Sequence, residues 1–122
     1  MQAPAMFFNS PIPKELGSRI VGADWKAVTL PAPHIVIPNL PCGIFFAQRA
    51  KDVPDRLFKH EFTHYRQSQV LGAVLFYLCV IIGYSVKGYD ASLLEKQARE
   101  AEKLLLTPQE KLWVETARRL NR

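Results

Sequence analysis

The residues most able to do chemistry are two histidines with a glutamate between them. His60, Glu61 and His64 form the pattern H-E-x-x-H. If the segment is helical, the two imidazoles lie one turn apart on one face, where their nitrogens can reach a single Zn²⁺. Glu61 then lies beside the metal and can accept a proton from the water that the metal activates. The spacing therefore predicts a zinc site with Glu61 as the general base.

The same pattern has a plainer interpretation, a pair of helical histidines whose hydrogen bonds are satisfied without a metal. The chain has only 3 histidines, and two of them fall in this motif, which favours the metal. Two further features would support it, a helix around the motif and a third ligand downstream.

Candidates for that third ligand lie on a downstream segment, residues 91–106, that we predict to be an amphipathic helix. Its apolar stripe consists of Leu94, Ala98, Ala101 and Leu105. Glu95 lies at the edge of this stripe, so its carboxylate can face inward and complete a His₂Glu site with an open fourth position. Alternatively, Glu95 is a solvated residue or ends a capping box that begins at Ser92. Glu100 and Glu102 are rival ligands.

The elements around the motif predict an α+β fold. Short strands are expected at residues 27–30, 34–37 and 44–47, and the intervening prolines keep them short. Helices follow, so we expect a small antiparallel sheet ahead of a mostly helical half. Residues 1–24, rich in proline and glycine, are expected to form an irregular arm, and residues 25–122 a single minimal domain. The third strand could pair with an extended peptide substrate, although a core role is the better interpretation.

Two helix starts can be recognised from capping residues. Pro54 and Asp55 predict the start of the motif helix, because proline fits the first turn and an acidic residue favours the positive end of the helix dipole. This helix is expected to end near residue 68 or 70. The last helix is predicted to start at Thr107, where Pro108 and Glu110 complete a capping box.

Residues 70–86 form an apolar run without a charged residue. The run is at the lower length limit for a membrane span. A straight helix of this length would, however, hold its ends roughly 25 Å apart, whereas His64 and a ligand after the run must meet at one ion. We therefore expect a buried helix under the motif helix, bent near Gly72 or Gly83, rather than a membrane anchor.

Composition narrows the class of protein. The 122 residues suit one small domain with a modest core. The formal net charge of +5 is not concentrated in a basic block, so no specific nucleic-acid partner is predicted. Cys42 and Cys79 form neither a C-x-x-C metal motif nor a disulfide framework. The first residues lack the pattern of a secretory signal, which predicts a cytoplasmic or virion-associated protein.

Residues 35–103 resemble a family of short, mostly uncharacterised H-E-x-x-H proteins of bacteria and phages that are regarded as zinc metallopeptidases. The family pattern is H-E-x-x-H-x-x-Q, then an apolar-aromatic helix, then G-Y-x-x-N-P-x-E-x-E-A. Residues 60–67 match the first part fully, and residues 88–98 match the last part partially. Glu95 aligns with the first glutamate of that last part, and with Ala98 it is also similar to the E-x-x-A of gluzincins. The departures are Ser92, Leu93 and Gln97, which replace the asparagine, the proline and the second glutamate.

This resemblance implies a zincin-like peptidase that binds Zn²⁺ through His60, His64 and Glu95 and hydrolyses peptides or proteins. Peptidases of this kind usually have a donor for the developing oxyanion. Three tyrosines are candidates, Tyr65, Tyr84 and Tyr89. We prefer Tyr89 because it lies in the turn that leads to Glu95. Gln67 could hydrogen-bond a metal ligand or cap local backbone.

A protein of a different class fits the same features. A structural or assembly protein, for example a phage virion or tail component, could retain the zinc-binding fold with little or no turnover. A peptide substrate is the partner expected in the first case, and a larger assembly in the second.

Overall fold

The computed structural model describes residues 3–20, 22–31, 42–86 and 93–121, except the side chains of residues 83–86. Within these ranges the chain has the α+β composition that the sequence predicts, with three short strands and five α-helices. In chain order, the elements are β1 (Met6–Phe7), α1 (Ile12–Ile20), β2 (Ala27–Leu30), β3 (Gly43–Phe46), α2 (Asp55–Leu71), α3 (Ala73–Val86), α4 (Leu93–Ala101) and α5 (Pro108–Leu120).

The sheet is mixed, so the expectation of a purely antiparallel sheet is wrong. Its strand order is β1-β3-β2. β2 pairs antiparallel with β3, placing Thr29 opposite Ile44, whereas β1 pairs parallel with β3, placing Met6 opposite Ile44. All four residues of β3 are buried, and the strand has a neighbour on each side. β3 therefore belongs to the core, as favoured from the sequence, and offers no edge to a peptide. The strand expected at residues 34–37 lies outside the described residues.

The N-terminal segment is ordered into β1 and α1, which corrects the expectation of an irregular arm. Its prolines and glycines have defined places in this structure. Pro13 lies in the first turn of α1, where a missing N–H costs nothing. Gly17 allows close packing, because a Cβ there would lie 2.7 Å from Cγ of Trp25. Residue composition alone could not reveal these contacts.

The core lies between the sheet and helices α2 and α5. α2 presents Phe58 and Phe62, one turn apart, to this core. The ring centroids of Phe46 and Phe58 are 5.0 Å apart, and Phe62 meets Trp113 edge to face at 5.3 Å. These aromatic contacts fix the rotation of α2 about its axis. The predicted start of α2 after Pro54 is confirmed, and the helix ends at Leu71, one residue past the expected limit.

A buried ion-pair cluster joins α2 to α5. The predicted capping box is confirmed, with Thr107 N donating to Oε1 of Glu110 at 2.8 Å and Glu110 N donating to Oγ1 of Thr107. The fully buried Glu110 also contacts Nζ of Lys59 at 2.7 Å and a guanidinium nitrogen of Arg66 at 2.9 Å. Burial alone would raise the pKa of Glu110, but these partners outweigh it and lower the pKa. One carboxylate thus caps α5 and anchors it to α2.

The chain bends sharply between α2 and α3, as expected near Gly72. Gly72 has a φ of 79°, a backbone conformation that favours glycine, and the two helices are bent by 117°. No single helix within the described residues has the length and apolarity needed to cross a membrane. α2 and α3 up to Ile82 meet that test only together, as a bent pair, on length and composition.

The expected burial of α3 is wrong. Five of its large apolar side chains are exposed by 47–65%, namely Val74, Leu75, Leu78, Ile81 and Ile82. Phe76, at 4% exposure, lies on the inner face. A small α+β domain has one core, and α3 contributes only this face to it.

Candidate metal centre

Helix α2 supplies the first part of the candidate site. The helix that the motif requires spans the whole pattern, so His60 and His64 project from one face with their ring centroids 4.9 Å apart. Glu61 follows His60 and is 4% exposed. The face opposite this one carries the aromatic core residues, which explains why the histidines cannot rotate away from α4.

Glu95, in the first turn of α4, completes the cluster. Its Oε1 lies 3.0 Å from Nε2 of His60, and its Oε2 lies 3.0 Å from Nε2 of His64. The ligand atoms of the three residues lie within 4.8 Å of one another, and no other such group exists in the described part of the chain. Glu95 is 5% exposed, because Leu94 and Ala98 bury this side of α4 as predicted. The predicted stripe is wrong at its far end, since α4 ends at Ala101 and Leu105 is 87% exposed.

These distances suit a metal ion. In a tetrahedral site with bonds of about 2.0–2.1 Å, neighbouring ligand atoms are about 3.3 Å apart. The two observed separations of 3.0 Å involve different oxygens of Glu95, and one ligand atom from each of the three residues lies within 4.8 Å of the others. The three residues are therefore close enough to share one ion. Two imidazoles and one carboxylate are also the ligand types found in catalytic zinc sites.

The hydrogen bonds of Gln67 determine which nitrogen of His64 carries hydrogen. The Gln67 amide nitrogen donates to the Leu94 carbonyl at 3.1 Å and to Oε1 of Gln97 at 3.0 Å. The amide oxygen therefore points the other way, to Nδ1 of His64 at 2.9 Å. Because an amide oxygen only accepts, Nδ1 of His64 must be the donor. The lone pair of a neutral His64 then lies on Nε2, facing Glu95, as a metal ligand requires.

Glu102 supports His60 in a comparable way. Its Oε2 lies 3.4 Å from Nδ1 of His60, the nitrogen that faces away from Glu95. A negative charge near Nδ1 favours hydrogen on that nitrogen, which leaves the lone pair of a neutral His60 on Nε2, where a metal would bind. Of the rival ligands, Glu102 thus lies behind the site. Glu100 is exposed and pairs with Lys103 at 3.4 Å.

A hydrogen bond from the sheet positions the carboxylate of Glu61. Oγ1 of Thr29, on β2, donates to Oε1 of Glu61 at 2.9 Å. The other carboxylate oxygen lies 4.0 Å from Nε2 of His60. Burial raises the pKa of Glu61 above its usual value, although the two histidines and Thr29 partly oppose this. A carboxylate with a raised pKa beside the ligand cluster is suited to accept and release a proton.

The excess of carboxylates in the cluster shifts the pKa values of its members. Burial alone would lower the pKa of His60, but the hydrogen bond to Glu95 and the charges of Glu61, Glu95 and Glu102 raise it to about 9. The pKa of His64 is raised in the same way by Glu95 and Glu61, against the effect of burial. Burial would raise the pKa of Glu95, yet both histidines lower it well below its usual range. The carboxylates of the cluster thus favour the protonated form of both imidazoles.

None of the three tyrosine candidates is seen to join this cluster in the described part of the chain. Tyr89 and the side chain of Tyr84 lie outside them. Tyr65 packs against Trp113 on the core side of α2, with ring centroids 6.4 Å apart. The sequence interpretation also missed Thr29 and the role of Glu102, because contacts between distant segments leave no local pattern. Only the position of Gln67, one turn after His64, signalled a supporting residue.

No protein-family model, curated protein or solved structure matches this chain.

Proposed function

We propose that this protein is a zinc-dependent metallopeptidase. The observation that carries the proposal is the convergence of His60, His64 and Glu95 with Glu61 beside them. Three of these four side chains are buried, and that of His64 is partly buried. The match of residues 60–67 to H-E-x-x-H-x-x-Q adds to it, because the glutamine of that pattern here orients a histidine. The zincin-like interpretation rests on these residues and on the order of the elements that hold them.

The reaction that suits this site is hydrolysis of a peptide bond. A zinc ion bound by His60, His64 and Glu95 would lower the pKa of water and polarise the scissile carbonyl. Glu61 accepts the proton of the attacking water as the new carbon–oxygen bond forms. It then gives that proton to the amine nitrogen as the carbon–nitrogen bond breaks. Thr29 keeps one Glu61 oxygen engaged, so the other is the oxygen that exchanges the proton.

A structural or assembly protein that binds zinc without turnover is the second candidate. The exposed apolar face of α3 favours it, because extended apolar faces are typical of surfaces that meet other proteins. Both candidates require the same metal centre. They differ in whether Glu61 has a chemical role.

Metal content per chain is the first test. We expect one zinc per chain in the purified protein, and its loss or strong weakening in Glu95→Ala and Glu95→Gln. Glu100→Gln is the matched control, since it changes an exposed glutamate of the same helix and should retain the metal. Full zinc in both Glu95 variants would contradict the assigned ligand, and a metal-free wild type would contradict the enzyme.

The second test separates the two candidates. Glu61→Gln should retain the zinc but lose hydrolysis of a fluorescently labelled unfolded protein by about 10²–10⁴-fold. If wild type and Glu61→Gln bind zinc equally and neither cleaves this probe, the structural alternative is favoured.

A further inference from the structure

The outer face of α3 presents apolar side chains in a regular order. The exposed residues are Val74, Leu75, Leu78, Ile81 and Ile82. Their spacing of three and four residues places them in one stripe of about 120° on the helix. α3 contains no charged residue. The stripe is therefore a continuous apolar surface over residues 74–82, rather than scattered exposed side chains.

The inner face of the same helix is fixed to the candidate site. Phe76 is 4% exposed, and its ring centroid lies 6.2 Å from that of His64. Helix α3 also packs on α2 and α4. These contacts leave the helix little freedom to turn its apolar stripe inward, so the stripe is held toward the outside.

The stripe is symmetric about Leu78. Val74 and Leu75 precede Leu78 by four and three residues, and Ile81 and Ile82 follow it by three and four. In an antiparallel pair of identical helices with a two-fold axis at Leu78, each residue of one arm faces a residue of similar size in the other arm. Self-complementarity of this kind is what a two-fold interface between identical chains requires.

Charge and area agree with this arrangement. The chain carries a formal charge of +5, but α3 has no charged side chain, so two copies can meet here without bringing like charges into contact. Antiparallel helices also align their dipoles favourably. Covering the five side chains on both copies would bury on the order of 1,000–1,200 Å² in total, an area typical of weak, reversible pairs rather than permanent ones. Helices that lie on a bilayer surface usually carry a charged face, which α3 lacks.

We propose that α3 is a homodimer interface, in which it packs antiparallel against α3 of a second copy around a two-fold axis at Leu78. The small area predicts a dimer that dissociates in the micromolar range. Because Phe76 of the same helix contacts His64, the partner copy would also hold the inner face of α3 against the candidate metal site.

Sedimentation equilibrium of the full chain tests the association. Wild type should approach twice the 13.9 kDa of one chain at tens of micromolar, and Leu78→Lys should weaken dimerisation at least tenfold. Leu112→Lys is the matched control, since Leu112 is 61% exposed on α5 and should leave the dimer intact. Circular dichroism checks that both variants remain folded. A monomeric wild type at these concentrations would overturn the proposal, as would equal weakening by both substitutions.

Disulfide trapping tests the geometry in a background of Cys42→Ser and Cys79→Ser. Leu78→Cys should form a covalent dimer on mild oxidation, because the two copies of residue 78 meet at the axis. Val74→Cys alone should not, whereas Val74→Cys combined with Ile82→Cys should. Efficient cross-linking of Val74→Cys alone would indicate parallel helices and overturn the antiparallel arrangement. Flotation of a monomeric wild type with phosphatidylcholine vesicles would instead identify a bilayer as the occupant of the stripe.

Discussion

Helix α2 has a cluster of buried charged groups on each of two sides, and the two clusters differ in their balance of charge. On the α5 side, a single carboxylate, Glu110, faces the cations Lys59 and Arg66. On the α4 side, three carboxylates surround two histidines, with Arg99 at 3.7 Å from Glu95 as a further partner. In the first cluster the carboxylate is fully matched, because the buried Lys59 and the partly exposed Arg66 both face it. The second is short of positive charge unless it binds protons or a divalent cation.

This difference separates a structural cluster from a functional one. Charges that pair with each other in a buried site hold elements together but have no capacity left for a ligand. Lone pairs that face each other, as Nε2 of His64 and Oε2 of Glu95 do when His64 is neutral, leave a place for a cation. Three sets of substitutions and one change of pH test this comparison.

The largest effect should come from Glu110→Gln. The substitution leaves Lys59 buried without its carboxylate, which should lower the free energy of unfolding by about 3–5 kcal/mol. Urea unfolding with a chelator present measures this change. Glu115→Gln, an exposed position on the same helix, should stay within about 0.5 kcal/mol of wild type. A loss at position 110 no larger than that of the control would show that the α5 cluster is not the structural one.

The second-largest effect should be on the pH dependence of stability, which differs between the two clusters. The pKa of His60 without metal is about 9, raised from 6.5. The folded chain therefore binds this proton more tightly than the unfolded chain. The resulting stability is fully present below pH 6.5 and is lost as the pH rises to 9, about 3 kcal/mol in all. Glu61, whose pKa is also raised, acts in the same direction.

The lowered pKa of Glu110 has the opposite sign, because its stabilisation is present above pH 4.5 and is lost as the pH falls through the folded-state pKa. Melting temperatures measured with a chelator should therefore fall between pH 6.5 and 9. With zinc present, the stabilisation by the metal should grow over the same window, since the metal displaces protons. A melting temperature that is flat from pH 6.5 to 9 in the metal-free protein would contradict the charge imbalance of the α4 cluster.

Gln67→Ala should have an intermediate effect, on metal affinity rather than on folding. Without the acceptor for Nδ1 of His64, zinc affinity should fall about 10–100-fold, measured by competition with a chromophoric chelator. Gln67→Glu keeps an acceptor at this position and should retain most of the affinity. Glu102→Gln should cost less, because its contact with His60 is longer and the Glu102 side chain is 32% exposed. Equal affinity of wild type and Gln67→Ala would argue against a positioning role for Gln67.

The smallest effect is expected from Thr29→Val, which removes a hydroxyl donor while nearly preserving shape. Loss of the hydrogen bond raises the pKa of Glu61 further, so the acid limb of the pH–rate profile should move to higher pH. Hydrolysis of the labelled protein near neutral pH should fall by about tenfold, or 1.4 kcal/mol. Thr29→Ser retains the hydroxyl and should behave like wild type, and zinc content should not change in either variant. An unchanged pH–rate profile in Thr29→Val would show that Thr29 does not influence Glu61.

Much of the local structure could be predicted from residue spacing and caps. Helix α2 after Pro54, the capping box at Thr107, the inward side of α4 and the bend at Gly72 all follow from patterns within a few residues. Strand β1 and helix α1 could not be recognised in this way. They depend on contacts with β3 and Trp25 that a proline-rich and glycine-rich composition does not reveal.

The exposure of α3 could not be predicted for a different reason. Hydrophobicity shows that a segment avoids water, but it does not say whether the rest of the chain is large enough to cover it. A core of this size covers Phe76 and leaves the opposite face outside.

For the candidate site, residue spacing is enough to predict which residues share one face of α2. The spacing of His60, Glu61, His64 and Gln67 is a property of a single helix and holds in any fold that keeps it. Which glutamate meets the histidines depends on the height and rotation of α4 against α2. Similarly, the contacts of Thr29 with Glu61 and of Lys59 with Glu110 join positions 32 and 51 residues apart. These pairings arise when separate elements pack together, because helix periodicity specifies directions within an element and not the neighbours it will meet.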